Sequence, residues 1–362
     1  MQRDIEFNLS DLTVIELASV LAGPMVGMFF AEMGAHVIKI ENARTGGDIT
    51  RQWKLPSENA NSPLSAYYCC TNWHKKSLFL DLYEAEAQQQ VYNLVAGADI
   101  VIANFKTGDA EKMGMDYSRL SELNPRLIYG QITAFPDAPA RTAFDVILQA
   151  ESGFMYMNGE QEGLPVKMPV ALIDLLAAHQ LKQGLLLALL RREKTGKGAR
   201  VSVSLVEAAL ASLGNQATNW LMGGHIPQRM GTLHPNIAPY GEMFWSADKK
   251  LLVLAVGNDR QFEQLCHALN CPDVAADNCF ADNHGRVKNR GILQEILAAR
   301  IALYSRAELI TLLTRHQVPV GAVRNMQEVF EMPIAQSLIL EEADEEEGRP
   351  TKRVKTAVFV MD

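Results

Sequence analysis

One acid in this chain stands where a carboxylate could serve as a nucleophile. In the segment PVALIDLLAAHQLKQGLLLALLRREKTGKG, residues 169–198, Asp174 falls in the first turn of a long apolar helix. A helix start leaves backbone N–H groups unpaired and carries the positive end of the dipole, so the ionised form is favoured there. An ionised, held carboxylate can attack a carbonyl carbon. It can equally do no more than cap the helix, since Asp is a preferred residue at helix starts. The segment alone leaves both roles open.

Other residues offer less. Lys39, Arg51 (after the turn Gly46-Gly47-Asp48), Lys75, Lys76, Lys106 and Lys112 fall near the ends expected of successive strands. In an acidic protein such a gathering suits a polyanion such as a phosphorylated cofactor, with scattered solvated lysines as the alternative. His234, in HPNIAPY, is the only histidine inside a loop of turn formers, where it fits a structural role as well as a catalytic one. Cys69, Cys70, Cys266, Cys271 and Cys279 match neither a zinc spacing nor a disulfide framework, so no metal site is expected and the thiols read as those of a reduced, cytoplasmic protein. No Walker loop, HExxH or GxSxG is present, which removes the main support for an NTPase, a zincin or an α/β-hydrolase.

The elements that must position these groups follow from apolar runs and turn residues. Leu12 to Ala18 reads as a strand, Pro24 suits the first turn of a helix that ends before Gly34, and His36 to Ile40 reads as a second strand ending at Glu41. The alternation continues with a helix at 84–96, a strand at Ile100 to Ala103, a helix at Tyr117 to Leu123 and a strand at Leu127 to Ile132. After the Asp174 helix and its KTGKG turn come a brief strand, Arg200 to Val203, and one apolar helix, Leu205 to Leu221. From Gly223 the texture changes: Met243 to Ser246 and Leu251 to Val256 flank the turn Ala247 to Lys250, and helices follow near Arg260 to Leu269 and Ser305 to His316. The fold class is therefore α/β. We expect a large doubly wound, Rossmann-like domain over 1–222 and a smaller α+β domain over 223–330. The acidic run from Glu341 to Glu347 reads as solvated surface.

Composition narrows the partners. With 362 residues, 48% of them hydrophobic, the chain can bury a full core. The net charge of −8, with 42 acids against 34 bases, argues against nucleic acid. The N-terminal MQRDIEFNLS has no apolar signal region and no apolar run approaches a membrane span, so no membrane partner is expected. The first strand–helix–strand unit imitates a dinucleotide fingerprint with Glu41 in the ribose-binding position, but its turn holds only Ala22-Gly23-Pro24 in place of the glycine pattern. Nicotinamide or flavin binding is therefore not expected, while a nucleotide moiety can still dock at the strand C-termini.

Several segments taken together resemble the class III coenzyme A transferases, the family of formyl-CoA and carnitine-CoA transferases and α-methylacyl-CoA racemases. They are VLAGPMVGMFFAEMGAHVIKIE, GGDITR, NWHKKSLFLDL, ANFKTGDAEKMGMDYSRLSELNPRLIYGQIT, FDVILQAESGFM, ALIDLLAAHQ, ALLRREKTGKGARVSVSLVEAAL and MGTLHPNIAPYGEMF, collinear from Asp11 to past residue 330. The resemblance implies a homodimer of two chains threaded through each other like linked rings. It also implies a coenzyme A thioester as substrate with no tightly bound cofactor, and a small carboxylic acid as the other reactant. It puts the catalytic aspartate on Asp174. Coenzyme A contacts carry over to Val20, Leu21, Ala22, Gly23 and Pro24, to Leu80, to Asn104 and Phe105, to Lys112, Met113 and Gly114, and to Phe144 and Asp145.

This chain departs from the pattern at named places. Leu21 stands where formyl-CoA transferase has a glutamine, Asn42 where it has an arginine and Tyr83 where it has a lysine. HPNIAPY replaces its glycine-run loop, which makes oxalate a less expected acceptor. The resemblance implies a C-terminal return toward the large domain over 331–362, but the closing Leu-Gly-Glu-His segment of the family is missing, so that return is expected to be shortened or missing. Phe144 occupies the position of the racemases' histidine, which favours CoA transfer over racemisation. The expected chemistry is attack of Asp174 on the thioester carbonyl, giving an acyl-aspartyl anhydride and then an aspartyl-CoA thioester, under a cover formed by the Gly23 and HPNIAPY loops. FDVILQAESG and HPNIAPY look most like members that use succinyl-CoA or other small dicarboxylate thioesters. A catalytically idle CoA-binding protein is the reading from another class.

Overall fold

The computed structural model describes residues 8–136, 138, 141–343 and 350–360. The chain divides into two compact units, one of residues 1–155, 167–226 and 337–362, the other of 156–166 and 227–336. The excursion 156–166 therefore groups with the second unit, although it lies within the segment that the sequence reading assigns to the first domain.

In the first unit six parallel strands form one sheet in the order β3-β2-β1-β4-β5-β6. They are β1 Thr13–Leu17, β2 His36–Asn42, β3 Lys75–Leu80, β4 Ile100–Ala103, β5 Ile128–Thr133 and β6 Ala199–Ser204. The order reverses between β1 and β4, and ligands of open α/β sheets bind outside the strand C-termini at that switch point. β1 is buried at Val14, Ile15, Glu16 and Leu17, as a strand covered on both faces must be. Helix α1, Ala22–Glu32, follows it with Pro24 in the first turn, where no donor is needed. Gly34 ends this helix at φ +91°, a conformation open to glycine.

The helix Leu172–Thr195 packs one stripe into the core: Ile173, Ala177, Ala178, Leu181 and Leu185 are fully buried. Their three- and four-residue spacing is that of one helix face. Gly196 closes the helix at φ +70°, its N–H donating to Arg192 O at 2.8 Å. By length and hydropathy this helix could cross a membrane, which corrects the expectation that no segment comes near a span. Its apolar stripe is instead core, and the same face carries the buried Asp174, Lys182 and Arg192.

Two further expectations are corrected. The helix expected over 205–221 is two, Leu205–Ala211 and Gly214–Gly223, parted where Gly214 takes φ +54°. Where it is described the acidic run is at the surface, as expected: Glu341 is exposed and, with Glu342, ends the strand β10, Ile339–Glu342, which pairs antiparallel with β11, Thr351–Val354, while residues 344–347 lie outside the described set. The return to the first unit is present, since Thr356 and Ala357 donate their N–H groups to the Glu32 carboxylate at 2.7–3.0 Å and Ala357 is buried.

In the second unit β7, Tyr240–Trp245, β8, Leu251–Ala255, and β9, Val320–Ala322, make an antiparallel sheet. Helices at Asp259–Ala268, Arg290–Ile301 and Arg306–Arg315 bury Phe262, Leu265, Leu297 and Leu309 in the core of this unit.

Candidate active site

Asp174 lies at the N-terminal end of the buried stripe, is 9% exposed, and lines a cleft of about 500 Å³ with Leu21, Met25, Trp53, Tyr67, Phe144 and Lys167 among its walls. Burying Ile173, Leu181 and Leu185 behind it stabilises by about 1.5–3 kcal/mol each. That is enough to hold an acid which would otherwise pull its helix end toward water.

Asp174 does not cap its helix. The cap position is Ala171, and the free N–H of Ile173 donates to Asp145 Oδ1 at 2.7 Å. Asp145, at the start of the helix Asp145–Glu151, also accepts from Gln149 Nε2, and Gln149 Oε1 accepts the Met168 N–H at 2.8 Å. Among the described residues no donor reaches the Asp174 carboxyl. Burial, with the Asp145 charge adding, pushes that carboxyl up to about 7. The dipole of the first turn was expected to favour ionisation. Desolvation and a like charge outweigh it here, because the nearest N–H is already taken. The result is a group that is part ionised near neutral pH and carries no competing hydrogen bonds, a condition suited to nucleophilic attack. Tyr67 faces the same cleft, set edge-on against Trp53 at 4.9 Å between ring centres. Burial, then the charge of Asp174, pushes the Tyr67 hydroxyl up to about 12, so it remains a proton donor.

A second cavity of about 450 Å³ opens at the C-terminal ends of β1 to β4, lined by Leu80, Asn104, Phe105, Lys106 and Met113, with Asn42 and Tyr83. The turn between β1 and α1 borders both cavities: Ser19 lines this crevice while Val20 and Leu21 line the Asp174 cleft. Asn104 clamps the turn, accepting the Ser19 N–H at 3.0 Å and donating to Ser19 O at 2.8 Å. Val20 is held at φ +72°, strained for a β-branched residue, with its N–H donated to Asp48 Oδ2 at 3.1 Å.

A buried ionic hub lies behind this turn. Lys39 Nζ meets Glu16 at 2.9 Å, Asp48 at 3.1 Å and Ala18 O at 2.7 Å; Lys75 Nζ meets the other Glu16 oxygen at 2.7 Å and Pro24 O at 2.8 Å. Burial works against the Lys39 ammonium, but Glu16 and Asp48 outweigh it and hold its pKa above the ordinary value. Lys75 is pulled down to about 8 by burial, Glu16 opposing. Arg51 forks onto Glu41 at 2.6 and 2.7 Å, and Tyr68 donates to Glu41 at 2.9 Å. Burial opposes ionisation of Glu41, yet the bonds from Arg51 and the Asp48 N–H bring it down to about 2. Gly27 lets α1 close over this hub, since a Cβ there would come within 1.8 Å of Glu16 Oε2.

Three of the bases expected to await a polyanion are therefore spent internally: Lys39 and Lys75 on Glu16, Arg51 on Glu41. Lys106 lines the crevice and is exposed, while Lys112 pairs with Asp109 at 2.9 Å. Glu41, with both oxygens engaged, has no capacity left for a ribose. Apart from Lys112 and Gly114, the residues carried over from the family divide three ways. Val20, Leu21, Phe144 and Asp145 gather at Asp174; Leu80, Asn104, Phe105 and Met113 line the crevice; Ala22, Gly23 and Pro24 are buried in the first turn of α1. Gly114, at φ +67°, packs against Tyr92. His234 serves its own loop: its Nδ1 accepts the Asn236 N–H at 3.1 Å and its carbonyl accepts from Arg290. Trp53 and Lys167 went unnoticed in sequence because they lie in irregular segments, and Tyr67 because its helix, Ala66–Cys69, is a single turn too short to show a period. Glu16 did leave a signal, as a lone acid inside the apolar run LTVIELA.

Comparison with known proteins identifies the family. The model of CoA-transferase family III matches residues 9–362. A succinate–glutarate CoA-transferase of Agrobacterium fabrum is 38% identical over 359 residues, 97% of this chain and 89% of that protein. A succinyl-CoA:mesaconate CoA-transferase of Haloarcula hispanica is 35% identical, covering 90% of this chain and 82% of its own. The crystal structure of a CAIB/BAIF family protein from Brucella suis superposes with a TM-score of 0.86 at 35% identity, over 99% of this chain and 94% of that one.

Proposed function

The chain belongs to CoA-transferase family III and is a CoA transferase; on that premise we propose that it moves coenzyme A between small dicarboxylic acids through covalent intermediates on Asp174. The observation that carries this reading is the buried carboxyl of Asp174, without a donor among the described residues, in a cleft that shares the β1–α1 turn with a crevice at the strand C-termini. The names of the relatives, with succinate, glutarate and mesaconate as substrates, support the choice of diacids.

In the proposed cycle an Asp174 oxygen adds to the thioester carbonyl and the CoA thiolate leaves, giving an acyl-aspartyl anhydride. The thiolate then attacks the aspartyl carbonyl, releasing the first acid and leaving an aspartyl-CoA thioester. The acceptor carboxylate attacks that thioester, and the expelled thiolate takes up the new acyl group, which frees Asp174. The Tyr67 hydroxyl, which lines the cleft and stays protonated, is assigned as a donor to each oxyanion. Leu80, Asn104, Phe105, Lys106 and Met113 are assigned to the nucleotide end of coenzyme A. A racemase would need a second base. No histidine lines the cleft among the described residues, and Asp145 is engaged through both oxygens.

The interlocked homodimer belongs to the same proposal. The helix Gly214–Gly223 has no buried residue and exposes Trp220, Leu221 and Met222, and Leu187 and Leu190 are exposed on the Leu172–Thr195 helix. Apolar surface of this kind calls for a partner, and sedimentation over a wide concentration range should give a dimer throughout.

The deciding experiment is chemical trapping. Protein incubated with succinyl-CoA and then hydroxylamine or borohydride should carry a mass change on the peptide containing Asp174. Marking of another residue, or of none during active turnover, would remove Asp174 from the mechanism.

A further inference from the structure

We propose that Lys167 receives the far carboxylate of a dicarboxylic acyl group and so makes the cleft prefer diacids to monoacids; the inference rests on the CoA-transfer reading above. A thioester of a diacid carries a free carboxylate into a cleft that already holds two acids, Asp145 and Asp174. Such a charge is repelled unless a cation meets it. Among the described residues that line this cleft, Lys167 is the only cation.

It is also uncommitted. Lys39, Lys75 and Arg51 are held by Glu16, Asp48 and Glu41. Lys167 makes no salt bridge among the described residues, and its Nζ touches only the Met168 carbonyl, at 3.3 Å. The side chain is exposed, so its head is free to turn toward a ligand.

The backbone that carries it is nevertheless fixed. The next residue, Met168, donates its N–H to the buried Gln149 at 2.8 Å, and Ile173 donates to Asp145 at 2.7 Å. The segment from Lys167 to Asp174 is thus pinned near both ends to one short helix, Asp145–Glu151. Leu21, Met25 and Val170 supply apolar wall in the same cleft. A nucleophilic carboxyl, an unpaired ammonium and apolar walls complement an acyl group made of a thioester carbonyl, methylenes and a terminal carboxylate.

The test compares succinyl-CoA with butyryl-CoA, which differ by that terminal carboxylate, in the formation of hydroxylamine-trapped acyl-enzyme by the full-length protein. Lys167→Ala should lower kcat/KM for succinyl-CoA by about 10- to 100-fold, the worth of a hydrogen bond to a charged group, and leave butyryl-CoA within about twofold. Lys167→Glu should invert the preference, and Lys167→Arg should keep most of it. Equal losses on both thioesters, or none on either, would overturn the role of Lys167 while leaving CoA transfer intact. Failure of the unsubstituted protein to form acyl-enzyme from either thioester would overturn both readings.

Discussion

Acids are buried in two neighbouring regions of the first unit, and their surroundings treat them oppositely. Glu16, Asp48 and Glu41 lie behind the β1–α1 turn with Lys39, Lys75 and Arg51 in contact and backbone N–H groups filling the remaining oxygens. Asp174 lines a cleft bordered by the same turn, and among the described residues no cation pairs with its carboxyl and no donor bonds to it. The consequence can be read in their proton affinities: Glu41 is brought down to about 2, Asp174 is pushed up to about 7. A paired buried carboxylate is a fastening, and an unpaired one is a reagent. The fastening has a purpose, because Asp48 and Asn104 hold the turn whose Val20 and Leu21 face the reagent.

The contrast breaks most sharply at Asp174. Asp174→Asn should lower turnover by at least about 10⁴-fold, as removal of a nucleophile does, and the same variant should be the more stable protein at pH 8. The sign follows from linkage. With its folded pKa raised above the unfolded value, wild-type Asp174 costs nothing at pH 3, costs progressively more as pH rises toward 7, and reaches a constant penalty of about 2–4 kcal/mol above it. Urea unfolding of both proteins at pH 4 and pH 8 checks this, and a variant less stable at pH 8 would refute it.

Glu16→Gln should have the next largest effect and the opposite character. It strips Lys39 and Lys75 of their shared partner, and breaking a buried pair costs about 3–5 kcal/mol. Activity should be lost through instability, and ligand stabilisation should recover part of it.

A smaller effect tests the electrostatics of the cleft. kcat/KM for the acyl donor should rise with pH along a limb centred near 7, the value at which Asp174 ionises. Asp145→Asn removes the like charge and keeps an oxygen for the Ile173 N–H, so the limb should move to lower pH. An unmoved limb would mean that another group titrates.

The smallest expected change is at Val20. Val20→Gly relieves a β-branched residue at φ +72° and should alter stability by about 1 kcal/mol or less. If the strained turn only connects two elements, kcat will not change. A fall in kcat at unchanged stability would show that the turn must be held stiff against the cleft.

Much of this was legible in the chain. The strand at Ile100–Ala103 and the helix at Tyr117–Leu123 fall where apolar spacing places them, and Asp174 stands out as an acid at the head of an apolar helix. These are local properties, set by the period of a helix or a strand and by Gly and Pro at its ends. The order of collinear segments was enough to name the family. Which charges are free was not legible. Lys75 meets Glu16 across 59 residues and Lys39 meets it across 23, so a row of bases that resembled a polyanion site became a closed ionic hub only when the strands aligned in parallel. The state of Asp174 was likewise decided in three dimensions. Asp145, 28 residues from Ile173 in sequence, takes the N–H that the first turn leaves open, and the packed stripe excludes the water that would otherwise stabilise the charge. Hydrogen-bond satisfaction and desolvation depend on what the folded chain brings within about 3 Å, and spacing along the sequence does not contain that distance.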